Sequence, residues 1–307
     1  MAGKIVVMGV FNADTTYRAE RLPRMGETIH GTAFVLGPGG KGSNQAVAAA
    51  KAGGDVHFIT RLGNDAFGEM AKDIWRGAGV TAEATVMPGQ NTGAALIFVE
   101  DSSGDNCIVI APGAAAEMDA VDTENRRDLV NSAAVFLTQL EQPLEAAAHG
   151  LAMAKKAGAV TILNPAPAEE LPDSLYAHCD YITPNETEAE TLTGVAVTDR
   201  GSAEAAGRVL LERGVGAAVL TLGENGSLLV TTDGSRHAPI FHAGAVVETT
   251  GAGDAFNGGF AVALAEGLSA VDAMRFGSAV AGLSVTKAGA APSMPTRAEI
   301  DTLLKGG

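Results

Sequence analysis

The sequence predicts an α/β fold: a doubly wound, mostly parallel central sheet flanked by helices, with a small β-sheet lid. Short β-branched runs alternate with alanine-rich segments along the chain, and this alternation is typical of βαβ units. The predicted buried strands are 5–8, 56–60, 134–137, 160–163, 181–183 and 218–221. The predicted helices are 43–52, 66–76, 144–156, 202–212, 255–266, 271–287 and 298–304. A length of 307 residues allows one large α/β domain or two ordinary ones.

Two segments, 13–36 and 92–110, depart from this pattern, because alternating residues and turns replace the helical periodicity. We expect them to form a small antiparallel sheet outside the main one. Such a sheet would act as a lid over the carboxyl edge of the parallel strands, where ligands bind in doubly wound folds. The alternative is that both segments are ordinary surface hairpins.

The composition restricts the class of partner. The formal net charge is −15 at pH 7, with no cluster of Lys and Arg, which argues against nucleic acid or an anionic membrane surface. Backbone amides, a few Lys residues or a divalent cation would have to supply positive charge to a polyanionic ligand. Cys107 and Cys179 are too few for a disulfide framework. Neither a signal peptide nor an apolar stretch of roughly 20 residues can be recognised, so we expect a cytoplasmic protein.

A stretch of small residues before an acid is the most informative motif. If 255–266 is a helix, the amides of Gly251, Ala252 and Gly253 lie at its N-terminus, where free N–H groups and the helix dipole favour an anion. Asp254 would then stand beside a phosphoryl group during its transfer. The alternative is that Asp254 is an ordinary N-terminal cap.

A second glycine-rich stretch, 37–45, opens a predicted helix. It is not a P-loop, because Gly42 separates Lys41 from Ser43. The glycines suit a close approach of the backbone to a polar ligand, and a tight strand-to-helix turn is the alternative.

Polar residues follow the first predicted strand. Asn12 and Asp14 combine an amide with a carboxylate, which together can hold the vicinal hydroxyls of a sugar or another polyol. An Asx turn is the alternative interpretation.

Two further strand ends carry candidate ligand-binding residues. Asn185 and Glu188 are three residues apart at a predicted helix start, which suits either Mg²⁺ or a capping box. The segment 221–226 offers a hydroxyl and two glycines for a phosphate or nucleotide, and a hairpin into 227–231 is the alternative.

Taken together, these segments resemble the ribokinase family of carbohydrate kinases (the PfkB family) over essentially the whole chain, which predicts a single domain over 1–307. Gly39 to Ala46 is similar to the first family signature and Thr249 to Gly258 to the second. The segments 163–168, 183–188 and 291–293 resemble the branch of the family that acts on ribose.

The resemblance implies ATP-dependent phosphorylation of D-ribose at its terminal hydroxyl, giving ribose 5-phosphate, with Asp254 as the base. The positions that match sugar-binding residues are Asn12, Asp14, Gly40, Lys41, Asn44, Glu141 and Asp254. Those that match nucleotide-binding residues are Asn185, Thr221, Gly223, Gly226, Gly253 and Ser278, beside an anion hole at Gly251, Ala252 and Gly253. Glu188, with Asn185, matches the motif tied to Mg²⁺ and phosphate.

The resemblance also implies a monovalent cation, usually K⁺, and a homodimer formed through the lid. The matching cation positions are Glu248, Thr250, Ser284, Lys287, Gly289 and Ser293. Glu248 departs from the family, which commonly has Asp there. Ala115 is a second departure, because it stands where the family often has Asn.

Two alternative functions remain open from the residues alone. One is phosphorylation of another acceptor, such as fructose, deoxyribose or a nucleoside like adenosine. The other is a non-catalytic sugar or nucleotide sensor that has lost turnover. The joint presence of Asp254, the glycine turn at 251–253 that forms the implied anion hole, and the Asn185/Glu188 pair argues against the sensor.

Overall fold

The computed structural model describes residues 3–306, and within them the strands form two sheets. The strands are β1 (Lys4–Met8), β2 (Asn12–Ala19), β3 (Ala33–Gly39), β4 (Asp55–Gly63), β5 (Thr81–Met87), β6 (Gly93–Glu100), β7 (Asn106–Ala111), β8 (Val135–Thr138), β9 (Val160–Leu163), β10 (Tyr181–Ile182), β11 (Ala217–Thr221), β12 (Ser227–Thr231) and β13 (Gly234–Ala238).

The helices lie mostly between the strands of the larger sheet. They are α1 (Lys41–Lys51), α2 (Ala66–Ala78), α3 (Ala120–Glu124), α4 (Arg127–Asn131), α5 (Leu144–Ala157), α6 (Asp173–Tyr176), α7 (Glu186–Thr193), α8 (Arg200–Glu212), α9 (Ala252–Ala265), α10 (Ala270–Ser284) and α11 (Arg297–Gly306). In residues 3–306, no helix is long and apolar enough to cross a membrane.

The larger sheet confirms the predicted fold class. Its strand order is β13-β12-β11-β10-β9-β8-β1-β4-β5, and the seven strands from β11 to β5 run parallel. β12 and β13 extend it as an antiparallel edge. All six predicted strands belong to the parallel part. The edge strand β5 was not predicted, because none of its residues is buried and polar residues interrupt its apolar ones.

Alternate residues of β1 divide the core into two layers. Ile5 and Val7 pack on one face with Phe260 and Trp75, whereas Val6 and Met8 pack on the other face with Phe136. Because successive side chains of a strand point to opposite faces, β1 contributes to two hydrophobic cores, each covered by helices. This arrangement is what a doubly wound sheet requires.

The smaller sheet has the order β3-β2-β6-β7. The prediction of a purely antiparallel lid was wrong in one respect, since β2 and β6 pair parallel, while β2–β3 and β6–β7 are antiparallel. β2 and β6 begin at the carboxyl edge of the larger sheet, where Thr92 Oγ1 accepts a 3.0 Å hydrogen bond from the Gly63 amide. Several large apolar side chains of this sheet are exposed, among them Leu36, Leu96 and Val109.

Candidate active site

A cavity of about 640 Å³ lies at the carboxyl edge of the larger sheet. The segments that follow β10 and β11, the start of α1 and the start of α9 form its walls. The residues predicted from sequence that line it are Lys41, Asn185, Glu188, Thr221, Gly223, Gly226, Gly251, Ala252, Gly253, Asp254 and Ser278. Segments far apart in the sequence thus meet in one space.

Helix α9 begins at Ala252, three residues earlier than predicted, so Asp254 lies inside its first turn. Gly251 caps this helix with φ of 78°, and a Cβ there would come within 2.8 Å of Ala290 Cβ. Only glycine adopts this conformation without strain. Of the predicted anion-binding amides, that of Ala252 donates to the Thr249 carbonyl over 3.1 Å. The N–H groups of Gly251 and Gly253 have no acceptor within residues 3–306.

Asp254 is buried at the inner end of the cavity. Asn44 Nδ2 donates to its Oδ2 and Gln45 Nε2 donates to its Oδ1, each over 3.0 Å. Burial raises the pKa of Asp254, while the charge of Lys41 and the two amide donors oppose that rise. The carboxylate is thus held on both oxygens and retains lone pairs that can accept a proton.

Three further predicted residues lie near the start of α1: Gly40, Asn44 and Glu141. Glu141 Oε2 accepts a 2.7 Å hydrogen bond from the Lys41 amide, and burial raises the pKa of Glu141 to about 7. Gly40, at the N-terminal end of α1, has φ of 87°, so the predicted turn alternative for this stretch is confirmed. Asn44 Oδ1 is buried without a hydrogen-bond partner in the described part of the chain. It is an acceptor available to a ligand hydroxyl.

Asn12 and Asp14 lie in β2 rather than in an Asx turn, so that alternative was wrong. Being two residues apart in a strand, they project to the same face. Burial raises the pKa of Asp14 to about 6. A Cβ on Gly39 would lie 2.1 Å from an Asp14 carboxylate oxygen, so glycine leaves space for that carboxylate.

Asn185 and Glu188 form a capping box at the start of α7. Asn185 Oδ1 accepts from the Glu188 amide over 2.8 Å, and Glu188 Oε2 accepts from the Asn185 amide over 2.9 Å. Burial raises the pKa of Glu188. The capping interpretation is confirmed, and Glu188 Oε1 is left for a ligand. Within residues 3–306, no group of three His, Cys, Asp or Glu residues is arranged to hold a metal ion.

The segment 221–226 is the turn of the β11–β12 hairpin, as its alternative interpretation predicted. The turn nevertheless lines the cavity through Thr221, Gly223 and Gly226. Ser278 Oγ lies 3.4 Å from Ser227 Oγ on the neighbouring wall. Apolar side chains of Ile240, Phe241 and Val285 complete this end of the cavity.

The predicted cation positions lie beside the glycine turn rather than in the cavity. Glu248 Oε2 accepts a 2.8 Å hydrogen bond from the Gly289 amide. Ser284 and Ser293 turn their hydroxyls to the carbonyls of Ala281 and Ala290. Lys287 pairs with Glu299 over 2.8 Å, and Thr250 is exposed next to Gly251.

Four residues of the site were not predicted. Gln45 and Asn164 hydrogen-bond to each other over 2.9 Å, and Gln45 also reaches Asp254. Thr183 Oγ1 donates to Asn257 Oδ1 over 2.6 Å, and Asn257 Nδ2 donates to the Gly253 carbonyl over 2.9 Å. Asn164 and Thr183 could have been predicted, because each is a polar residue directly after a parallel strand, where ligands bind in doubly wound folds.

Ala115 is buried within a short 3₁₀ helix, Gly113–Glu117, that follows β7. It packs in the core with Ile59 and Met118. This departure from the family pattern therefore leaves no polar side chain at that point.

A doubly wound sheet with a lid, and a carboxylate beside a glycine turn at a helix N-terminus, define a small-molecule kinase. Residues 2–297 match the model of the pfkB family carbohydrate kinases, and the chain belongs to that family.

Individual relatives agree with this assignment. The chain is 41% identical to a ribokinase of Haemophilus influenzae over 300 residues, 97% of each sequence. It is 37% identical to a deoxyribokinase of Salmonella typhi over 294 residues, 95% of each. Among solved structures, Arabidopsis thaliana ribokinase complexed with ribose and ATP is similar with a TM-score of 0.96 at 35% identity, covering 99% of both chains.

Proposed function

We propose that the protein transfers the γ-phosphoryl group of ATP to the O5 hydroxyl of D-ribose. The observation that carries this proposal is the position of Asp254, which lines a cavity of nucleotide size and accepts a hydrogen bond from Asn44, one of the polar side chains near the start of α1. The similarity to ribokinases, including one solved with ribose and ATP, supports the choice of substrates.

The sugar end recognises hydroxyl groups. In the proposed complex, Asn12, Asp14, Asn44 and Glu141 hold the ring hydroxyls. Gly40 lies beside them, where a Cβ would come within 2.5 Å of the Val10 carbonyl oxygen. Buried polar side chains discriminate strongly against an analogue that lacks the matching hydroxyl. Lys41, whose charge acts on both Glu141 and Asp254, lies where the sugar meets the phosphoryl group.

Asp254 accepts the proton of O5 as this oxygen attacks the γ-phosphorus. Catalysis of phosphoryl transfer consists mainly of positioning and of neutralising charge on the phosphoryl oxygens. The free amides of Gly251 and Gly253 point from a helix N-terminus and serve this second purpose. The apolar wall and Ser278 hold the nucleoside part of ATP, with Asn185, Thr221, Gly223 and Gly226 beside it.

Glu188, together with Asn185, is the proposed Mg²⁺ position, acting through its unpaired Oε1. A half-buried carboxylate with a free oxygen suits an ion that keeps several waters. Bound Mg²⁺ would neutralise phosphate charge.

The proposed monovalent cation position lies between the segment before α9 and the segment that ends α10 and follows it, at Glu248, Thr250, Ser284, Lys287, Gly289 and Ser293. Its fit rests on carbonyl groups, because the Glu248 carboxylate already binds the Gly289 amide. K⁺ there would support the conformation of the glycine turn, which packs on Ala290.

The four-stranded sheet is proposed both as the lid and as a homodimer surface. Leu36, Leu96 and Val109 align with Thr15 in one row across the four strands, and all three apolar side chains are exposed. An exposed apolar row of this kind is typical of an interaction surface, and a second copy of the chain would bury it. Sedimentation velocity of the wild-type protein should show a dimer. The double variant Leu96→Lys/Val109→Lys should sediment as a monomer. A wild-type monomer would contradict the proposal.

The proposed activity is tested by measuring ADP release with MgATP and KCl on D-ribose, 2-deoxyribose, fructose and adenosine. Turnover should be greatest with ribose and should fall by about 10²- to 10⁴-fold in Asp254→Asn, because the base is lost. Omitting MgCl₂, or replacing KCl by a bulky ammonium salt, tests the two cation positions in the same assay.

Two outcomes of this assay would lead to a different function. A preference for 2-deoxyribose would keep the mechanism and change the acceptor, as the similarity to a deoxyribokinase allows. Binding of ribose without turnover on any acceptor would indicate a sensor.

A further inference from the structure

The carbonyl oxygen of Thr183, just past β10, fixes the orientation of a neighbouring amide. Asn164 Nδ2 donates to this oxygen over 3.1 Å. Because a backbone carbonyl can only accept, this contact decides which end of the Asn164 amide faces it. Asn164 Oδ1 must therefore point away from Thr183, and it points towards Gln45.

The orientation of Gln45 follows from that of Asn164. Gln45 Nε2 donates to Asn164 Oδ1 over 2.9 Å and to Asp254 Oδ1 over 3.0 Å. Gln45 Oε1 accepts from Gln139 Nε2 over 2.6 Å. In the reversed orientation, Gln45 Oε1 would face two other oxygens in a fully buried position, and unpaired buried polar groups are costly.

We propose that the amides of Asn164 and Gln45, anchored on the Thr183 carbonyl, form a positioning relay that holds Asp254 and directs an N–H group at its Oδ1. The inference deepens the proposed function and rests on it, since it concerns the same base. Gln45 does not line the cavity. It acts through Asp254 and is a positioning residue.

The relay favours the ionised form of Asp254. A carboxylate that accepts hydrogen bonds on both oxygens is stabilised relative to its protonated form. Burial acts in the opposite direction, and Lys41 acts with the relay. Glu141 and Glu188 are the other charged groups that Asp254 acts on electrostatically. Loss of the Gln45 donor should therefore raise the pKa of Asp254.

The test compares Gln45→Met with Gln142→Met. Gln142 is a matched control, because it is also buried and bonds to Thr138 Oγ1 and the Gln139 carbonyl but not to Asp254. The ¹³C carboxyl resonance of Asp254, assigned with Asp254→Asn, is titrated in the ligand-free protein. Gln45→Met should move the midpoint up by about one pH unit, and Gln142→Met should leave it in place. The acid limb of kcat/KM should move in the same direction.

Asn164→Leu provides a second variant. It leaves Gln45 in place but removes the acceptor that sets its orientation, so the midpoint should rise by less than in Gln45→Met. A midpoint that stays at the wild-type value in both folded variants would overturn the relay. Because the titration needs no substrate, loss of turnover on every sugar with the shifts intact would overturn the proposed function and leave the relay standing.

Discussion

The sugar end and the nucleotide end of the candidate site differ in the chemistry that each offers a ligand. The sugar end consists of side-chain carboxylates and amides, such as Asp14, Asn44 and Glu141, and burial raises the pKa of both acids. The nucleotide end consists of glycines, hydroxyls and apolar walls, and its proposed anion-binding groups are backbone amides.

This difference explains how a protein of net charge −15 can receive a polyanion. Backbone N–H groups at a helix N-terminus attract phosphate without a basic side chain. The nucleotide end should therefore be sensitive to backbone conformation, whereas the sugar end should be sensitive to pH. Three measurements test this division.

The largest effect is expected from Gly251→Ala. A Cβ at this position would lie 2.8 Å from Ala290 Cβ, and the φ of 78° disfavours alanine. Displacement of the free amides should lower kcat by about 10²-fold, as loss of an oxyanion donor does in other enzymes. The melting temperature should fall as well.

Gly253→Ala is the matched control for that change. A Cβ on Gly253 meets no atom within 4 Å, so this variant should keep the wild-type melting temperature. Wild-type kcat in Gly251→Ala would show that the turn does not need its left-handed glycine.

An intermediate effect is expected from pH. Glu141 has a pKa of about 7, so its ionised fraction falls about tenfold between pH 8 and pH 6. A protonated carboxyl loses acceptor capacity, and KM for ribose should rise about tenfold over this range. Protonation of Asp14 should add to the rise below about pH 6. KM for ATP should change far less.

Glu141→Gln separates the two contributions to this pH dependence. The amide oxygen can still accept from the Lys41 amide, so the fold of this segment should persist. KM for ribose should be raised at pH 8 but should vary little between pH 8 and pH 6.5. A tenfold variation in this variant would assign the titration to another group.

The smallest effect is expected from Thr183→Val, which connects the two ends. The substitution removes the hydroxyl that bonds to Asn257, and Asn257 in turn holds the Gly253 carbonyl. Loss of one neutral hydrogen bond suggests a fall in kcat of about fivefold. The Asp254 titration midpoint should stay unchanged, because the Thr183 carbonyl remains. A shifted midpoint would show that the two hydrogen-bond chains are not separate.

The sequence predicted the elements whose pattern is local. Buried parallel strands such as β1 and β9 are short, mostly apolar runs rich in β-branched residues, so they are recognisable one by one. The start of α9 was placed too late because glycine is a poor helix former and the pattern becomes helical only after Asp254. The turn at Gly251 depends on packing against Ala290, which no local pattern reveals.

The same distinction applies to the site. Residues at strand ends and in glycine-rich turns were recognisable as ligand-binding candidates, and many of them line one cavity. The contacts of Gln45 with Asn164 and Asp254 join residues 119 and 209 positions apart in the sequence. Only the packing of the strands and helices brings such partners together, so a single sequence does not show which residues pair.

The carbonyl that anchors the amide relay has a consequence for mutational change. Every residue type has a backbone carbonyl, so no codon change at position 183 deletes this acceptor unless it moves the chain. The residues proposed to hold sugar hydroxyls have no such protection, because each proposed contact depends on one side chain. Selection for a new acceptor can therefore alter the pocket step by step without deleting the carbonyl that orients the Asn164 amide.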